Sequence, residues 1–348
     1  MSEIIGVTRD PHNKDPLKKK QQFAVSDGLF KAEITAPVRF LLEQYYDVQK
    51  LRVAAFNGIV AVGASQKVIE THTDDASQEK HEPQVQFADK PSLLAKQIIA
   101  GKVKPPKDLG DLVWYHNSLL ETEKNLAKRL DGWSSHHPLR INYLSKIMGI
   151  GPIFSSGLIA WISPISRFPN ISKLWAYCGL SSEHYQCQCN GKKTHKMLSS
   201  HKLEKCPVRI GKKRKPCNAK IVQCEFVKAP MKRKYGWIML ANQRMKTFMW
   251  KIASSFEKQK AAKSKYRRIY DERKQKELQN PVLKKAIDDK VAGAKLHVRL
   301  RAMRYTEKHF LADLWLTWRK LEGLPVTKPY PNSMMDHTGF EEPETDKE

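Results

Sequence analysis

The chain has 348 residues, enough for two modest domains or one domain with extensions, and its 62 Lys and Arg against 36 Asp and Glu give a net charge of +26. Such an excess opposes compaction by self-repulsion and calls for a polyanionic partner, with DNA, RNA and an anionic membrane surface as the candidates. The sequence argues against the membrane: no run approaches the ~18–20 apolar residues of a spanning helix, and the most apolar stretch, Ile147 to Ile165, is interrupted by Gly149, Gly151, Pro152 and Pro164. The N-terminus lacks an apolar segment followed by a small-residue cleavage site, which points to a cytoplasmic chain. Thiols stay reduced in that setting, so the six cysteines are expected to be free or metal-bound, not disulfide-bonded.

In chain order, residues 1–36 are polar and lysine-rich (Lys14, Lys18, Lys19, Lys20) and are expected to form a basic flexible arm. Residues 37–106 are expected to be a helical region followed by a linker. Val38, Leu41, Leu42, Tyr45, Val48 and Leu51 recur at helical spacing up to about Thr71, with a break expected near Gly63, and an acidic stretch follows. Residues 107–182 should hold a long helix from about Asp108 to Leu130, whose stripe includes Leu112, Leu119, Leu126 and Leu130, and then the densest apolar part of the chain. Residues 183–236 form a basic, Cys-rich insertion. Residues 237–327 should complete the domain with a helix from Asn242 to about Arg273 and another from about Asp288 to Glu322, and residues 328–348 read as a disordered acidic tail. Nearly all periodicity is close to 3.6, so the expected fold is mainly α: a helical bundle with a helix-hairpin-helix and the basic insertion.

The most informative segment is LSKIMGIGPIFSSGLIAWI, Leu144 to Ile162. A short apolar helix meets Gly149-Ile150-Gly151, and a second helix starts at Pro152, a favoured first-turn residue. The glycines allow a tight turn and close backbone approach. Free N–H groups at a helix N-terminus can hold a phosphate oxygen, so Gly149 and Gly151, with Lys146 beside them, are candidate nucleic-acid contacts; a purely structural turn is the alternative.

The other basic candidates are Lys212, Lys213, Arg214 and Lys215 in the insertion, Arg244, Lys246 and Lys251 on the Asn242 helix, and Arg301 and Arg304 on the last helix. Residues 192 to 220 carry eleven Lys and Arg against one Glu. Tyr266 and Tyr270 sit among bases and could stack on unpaired nucleotides, though packing is the plainer reading. The cysteines suggest a structural zinc, with Cys187 or Cys189 joined by Cys206, Cys217 and Cys224. The stretch has too few apolar residues to fold without a metal or ligand. A basic loop with unligated thiols is the alternative, and Cys178 reads as core.

Ile147 to Leu180 resembles the C-terminal domain of the insertion-sequence 110/116/902 family of transposases. The resemblance is carried by Gly149, Gly151 and Pro152, by Arg167 and Phe168, by Trp175, Tyr177, Gly179 and Leu180, and later by Asn242, Met245, Phe248 and Ile252. It spans roughly 107 to 320 and is strongest over 144 to 180. It implies an α-helical DNA-binding domain of prokaryotic type, acting in DNA transposition and recombination on the ends or target of a mobile element, with structured RNA as a further partner and a homo-oligomer as the assembly. The family's nuclease half places metal-binding carboxylates on a strand-led fold. That set is not legible here: Asp10 follows a short run, Ile59 to Glu70 is strand-like without a central carboxylate, and Asp74, Asp75 and Asp89 lie in the linker. Cleavage would then fall to a separate nuclease subunit. The family's serine follows the GL pair in a YQSG-like stretch; here Tyr185 and Gln186 match, Cys187 occupies the serine position, and Ser181 and Ser182 lie close by as substitutes. The alternative to a transposase is a non-catalytic architectural or regulatory protein derived from one.

Overall fold

The structure is a computed structural model and describes residues 32–72, 91–105, 109–211, 215–326 and Asp346, with the side chains of the first helix described over residues 35–62. Most of the expected N-terminal arm, the acidic linker with Asp74, Asp75 and Asp89, and all of the expected tail except Asp346 lie outside the described residues. The fold is mainly α with a small sheet. The chain divides into two compact units, one over residues 36–134 and the other containing everything from Ser135 onward.

In the first unit α1 (Ala32–His72) runs without interruption through Pro37, Gly58 and Gly63. The expected break is absent, and the strand-like Ile59 to Glu70 is helical. α2 (Pro91–Ile99) follows, then α3 (Gly110–Ser134). The long helix grouped with the hairpin in the sequence analysis packs in this unit instead. Glu123 of α3 accepts hydrogen bonds from Gln49 at 2.9 Å and Arg52 at 2.5 Å, and these contacts hold its carboxyl below the usual carboxylate range against the burial that would raise it.

The second unit opens with α4 (Pro138–Asn142), capped by the His137 ring, and a single 3-10 turn at Leu144–Lys146. The hairpin turn leads into α5 (Pro152–Ile162), and then α6 (Ile171–Tyr177) starts on an Asn170 cap. Side-chain caps recur in the second half. Asn242 starts α7 (Gln243–Glu257), Ser264 starts α8 (Lys265–Leu278), and Asn280 with Pro281 starts α9 (Pro281–Asp288). Each supplies an acceptor for N–H groups that have no partner within the helix. The single helix expected from Asn242 to Arg273 is therefore two, because Ser264 is extended and restarts the chain. α10 (Ala294–Leu321) follows Gly293. It is the axis of the unit: Phe310, Leu311, Leu314, Trp315 and Trp318 are almost fully buried, and α8, α7, α6 and α4 pack around it.

The basic insertion is a β structure, which the sequence analysis did not expect. β1 (His184–Cys189), β2 (Lys196–Ser199), β5 (Ile221–Val227) and β6 (Trp237–Met239) form one sheet in the order β5-β1-β2-β6, while β3 (Arg209–Ile210) and β4 (Lys215–Pro216) pair separately. β1 is antiparallel to both neighbours, and Cys187 lies opposite Cys224 in the register. The two are joined by a disulfide, which overturns the expectation that all six cysteines are reduced.

α5 and α7 meet at Gly157, where an added Cβ would overlap the Phe248 ring. Phe248 is itself buried and in edge contact with Phe154. Gly157→Ala therefore overpacks the core. A loss of about 1–3 kcal/mol of stability is expected in denaturant titration, with partial recovery when Phe248→Leu is added. An unchanged midpoint for the single variant would show that the helices are not held this close.

Candidate nucleic-acid interface and a thiol-histidine cluster

The hairpin turn is held from behind. Gly149 adopts φ +91°, its carbonyl accepts a hydrogen bond from Ser255 Oγ at 2.8 Å, and a Cβ there would press on Ser255 and Phe256 of α7 and on Gln259 just beyond it. Only glycine fits this conformation cheaply. Gly151 differs: its backbone is extended, no atom lies within 4 Å of an added Cβ, and it caps α5 without a side-chain acceptor. The first N–H groups of α5 thus need an acceptor from elsewhere. Beside them, the N–H of Met148 and the N–H of Lys265, at the start of α8, converge on the Asp346 carboxylate at 2.8 and 2.6 Å.

The residues that carry the family resemblance bind one another. Arg167 donates to the Trp161 carbonyl at 3.2 Å and lies over the rings of Phe168 and Tyr177. Tyr177 donates to the same carbonyl, and Asn242 donates to the Tyr177 hydroxyl at 2.7 Å while accepting from the Met245 N–H. The Trp175 indole donates to the Lys308 carbonyl of α10. These side chains fasten α5, α6, α7 and α10 together.

A groove of about 710 Å³ runs along α10. Arg301, Arg304, His297 and Lys308 line one side, Arg273 and Lys232 another, and Ser182 lies at its rim. Two expected contacts, Arg301 and Arg304, thus join Ser182 in one place. The carboxylate of Glu277, almost fully buried, lies among them, paired with Arg273 and with Arg301 at 2.6 Å. Lys246 of α7 stands near Arg304; its amine donates to the Met231 carbonyl, and burial together with Arg304 pulls its pKa down. Of the other candidates, Arg244 and Lys215 are exposed, Lys146 and Lys251 are half-buried, and Lys212, Lys213 and Arg214 fall outside the described residues. Tyr266 and Tyr270 are buried and hydrogen-bonded to Asp313 and Glu257, so they are core residues.

The three nucleophile candidates separate. Cys187 is buried in its disulfide and offers no thiol. Ser181 donates to the Glu183 carbonyl at 2.7 Å within a turn. Ser182 is exposed at the groove. Cys178 is core, its thiol pushed well up by burial and by Glu307.

The remaining cysteines form a cluster that the sequence analysis only partly assembled. The ligand atoms of Cys189, His195, Cys206 and Cys217 all lie within 4.8 Å of one another. His195, absent from the expected set, sits at its centre, and Cys187 and Cys224 do not take part because they bind each other. Burial raises the Cys189 thiol, but hydrogen bonds from the backbone N–H groups of Gly191 and His195 outweigh it and hold it at about 7.

Residues 141–200 match the model of the Transposase IS116/IS110/IS902 family. The matched segment begins in α4, contains the hairpin, α5, α6 and the cluster of mutual contacts around Tyr177, and ends after β2. No match was found among curated proteins or among solved structures. Among the described residues no helix is long and apolar enough to cross a membrane.

Glu307 of α10 is buried near Arg304 and Lys246, and burial pushes its carboxyl up to about 8 against their opposing pull. Its folded pKa is above its unfolded value of 4.5, so the stability it contributes is fully present below pH 4.5 and is lost as pH rises through about 8. Glu307→Gln removes that loss. Its melting temperature relative to the unmodified chain should therefore climb between the acidic and alkaline ends of this window, and a pH-independent difference in melting scans would refute the assignment.

Proposed function

We propose that the chain is a DNA-binding protein of transposase type that acts in transposition or recombination of a mobile element. The observation that carries this reading is the cationic groove along α10, built in the same compact unit as the transposase-matching segment. The hairpin supplies a second anion site. The Asp346 carboxylate already occupies the Met148 and Lys265 N–H groups, and a phosphate oxygen makes the same demand on such donors. α7 connects the two surfaces, since Ser255 holds the turn and Lys246 stands by Arg304, about 13–14 Å apart at the rise of an α-helix. Contacts of this kind position a duplex without reading its sequence. On this reading metal-dependent cleavage comes from a separate nuclease subunit, the working form is a homo-oligomer, and structured RNA is a further ligand.

A catalytic variant of the reading is favoured by one observation: of the three nucleophile candidates, Ser182 is the one at the groove. Its hydroxyl would attack a phosphodiester, forming a phosphoserine ester with one strand end and releasing the other as a free hydroxyl. Without such a step the protein is an architectural or regulatory DNA-binding protein. Trapping of a protein–DNA adduct that disappears in Ser182→Ala supports the catalytic variant, and absence of any adduct on element ends leaves the architectural one.

The test of binding compares duplex DNA, single-stranded DNA and structured RNA at two salt concentrations. With about five phosphate contacts, affinity for duplex should fall on the order of 100- to 1,000-fold between about 50 and 200 mM salt. Arg301→Ala with Arg304→Ala should weaken binding and flatten the salt slope by about 2. Gly151→Val has room in the fold and should weaken binding by covering the N–H groups of α5, whereas Asp346→Ala should strengthen it by freeing the site. Binding indifferent to all of these variants would remove both surfaces from the interface, and no binding to any of the three nucleic acids would sink the proposal.

A further inference from the structure

We propose that Cys189, His195, Cys206 and Cys217 form a structural zinc site that folds the β insertion. The argument is geometric. Zinc binds thiolate sulfur at about 2.3 Å and imidazole nitrogen at about 2.0–2.1 Å in a tetrahedron, so a nitrogen and a sulfur on one ion should lie about 3.5 Å apart. His195 Nδ1 lies 3.6 Å from Cys189 Sγ and 3.4 Å from Cys206 Sγ. All four donor atoms lie within 4.8 Å of one another, close enough to share one ion. Cys189, His195 and Cys206 are almost fully buried and Cys217 is half-buried. Four protein donors leave no open coordination position, which is the pattern of a structural site and not a catalytic one. Three sulfurs with one imidazole suit zinc over the harder divalent ions.

The surroundings are built for the same ligand set. The His195 N–H donates to Cys189 Sγ at 3.3 Å, the type of contact that orients and stabilises a ligating thiolate. The Cys206 N–H binds the Ala219 carbonyl, the Cys217 N–H binds the Val208 carbonyl, and the N–H of Asn218, at φ +53°, binds the Cys206 carbonyl. Both thiols are thereby fixed on the short β3–β4 hairpin. Gly191 closes the other side: a Cβ there would stand 3.0 Å from Cys217 Sγ. The apolar content of the insertion is poor. Its buried cluster is Cys187, Cys189, Met197, Leu203 and Cys206, so three of its five members are cysteines, and one bridge and one metal supply what aliphatic packing does not. Zinc with three thiolates carries net charge −1, which the surrounding Lys192, Lys193, Lys205 and Lys220 offset.

The test uses the full chain purified without chelator and without nucleic acid, so its outcome is independent of the DNA-binding reading. Metal analysis should find about one zinc per chain. Replacing it with Co²⁺ should give the thiolate charge-transfer and red d–d absorption of a tetrahedral site, a readout that requires no variant to fold. His195→Ala and Cys217→Ser should each lose the metal, while Cys187→Ser with Cys224→Ser should keep it. A chain with native helical signal that holds no zinc and takes up neither Zn²⁺ nor Co²⁺ overturns the proposal. So does metal that survives in the first pair of variants and vanishes in the second.

Discussion

The second unit depends on one buried carboxylate. Asp313, on α10, accepts hydrogen bonds from the Tyr266 hydroxyl at 2.8 Å and the Lys265 amine at 3.1 Å, both on α8. The Tyr266 hydroxyl in turn lies 2.6 Å from that of Tyr143, which immediately precedes the turn leading into the hairpin. Burying a carboxylate is costly unless its lone pairs are met. Here they are met from α8, and Tyr143 is joined to the same network through Tyr266, so these four groups tie α8, α10 and the root of the hairpin together. Phe256 and Phe310 close around Tyr266 and exclude water. The hairpin is therefore held at both ends: Tyr143 enters this network, and Gly149 rests on α7.

The same economy governs the charge. Acids lie next to bases on and around α10: the buried Glu277 with Arg273 and Arg301, the half-buried Glu257 with Arg299, and the buried Glu307 facing Arg304 and Lys246. Glu277 thereby holds Arg273 and Arg301, two of the guanidinium groups that line the groove. These acids neutralise only part of the excess, and an anionic ligand would supply the rest. The basic β insertion has no comparable set of acids: residues 192 to 220 contain Glu204 alone. Its cohesion comes from a cross-strand disulfide and a cluster of sulfur and imidazole donors.

What could be read from the sequence follows the range of the interaction involved. The helical content and the helix start at Pro152 are local patterns within one or two turns, and both were legible. The strands were not, because β1 acquires its meaning largely from β5, whose Cys224 lies 37 residues from Cys187 in the chain. The alternation in HYQCQC and the apolar run IVQCEFV were the available signals, overshadowed by the lysines between them. The thiol–imidazole cluster was half legible for the same reason. Counting cysteines could not reveal that Cys187 and Cys224 face each other across two strands, nor that His195 is brought to Cys189 by the β1–β2 turn. The restart of the chain at Ser264 was missed because the helical pattern on either side of it continues in phase.

The residues that carry the resemblance prove to be mostly fasteners. Arg167, Tyr177, Asn242 and Trp175 spend their polar groups on carbonyls and on one another, and Phe168 offers its carbonyl to both Trp315 and Arg319 of α10. None of them needs a ligand to be satisfied. The groups left facing the groove lie on three different segments: Ser182, Lys232 and the Arg301–Arg304 pair of α10. A fold of this kind keeps a fixed internal frame and leaves its chemistry to residues displayed on that frame. This explains why the frame can be recognised in a single segment while the ligand-facing surface has to be assembled from the structure.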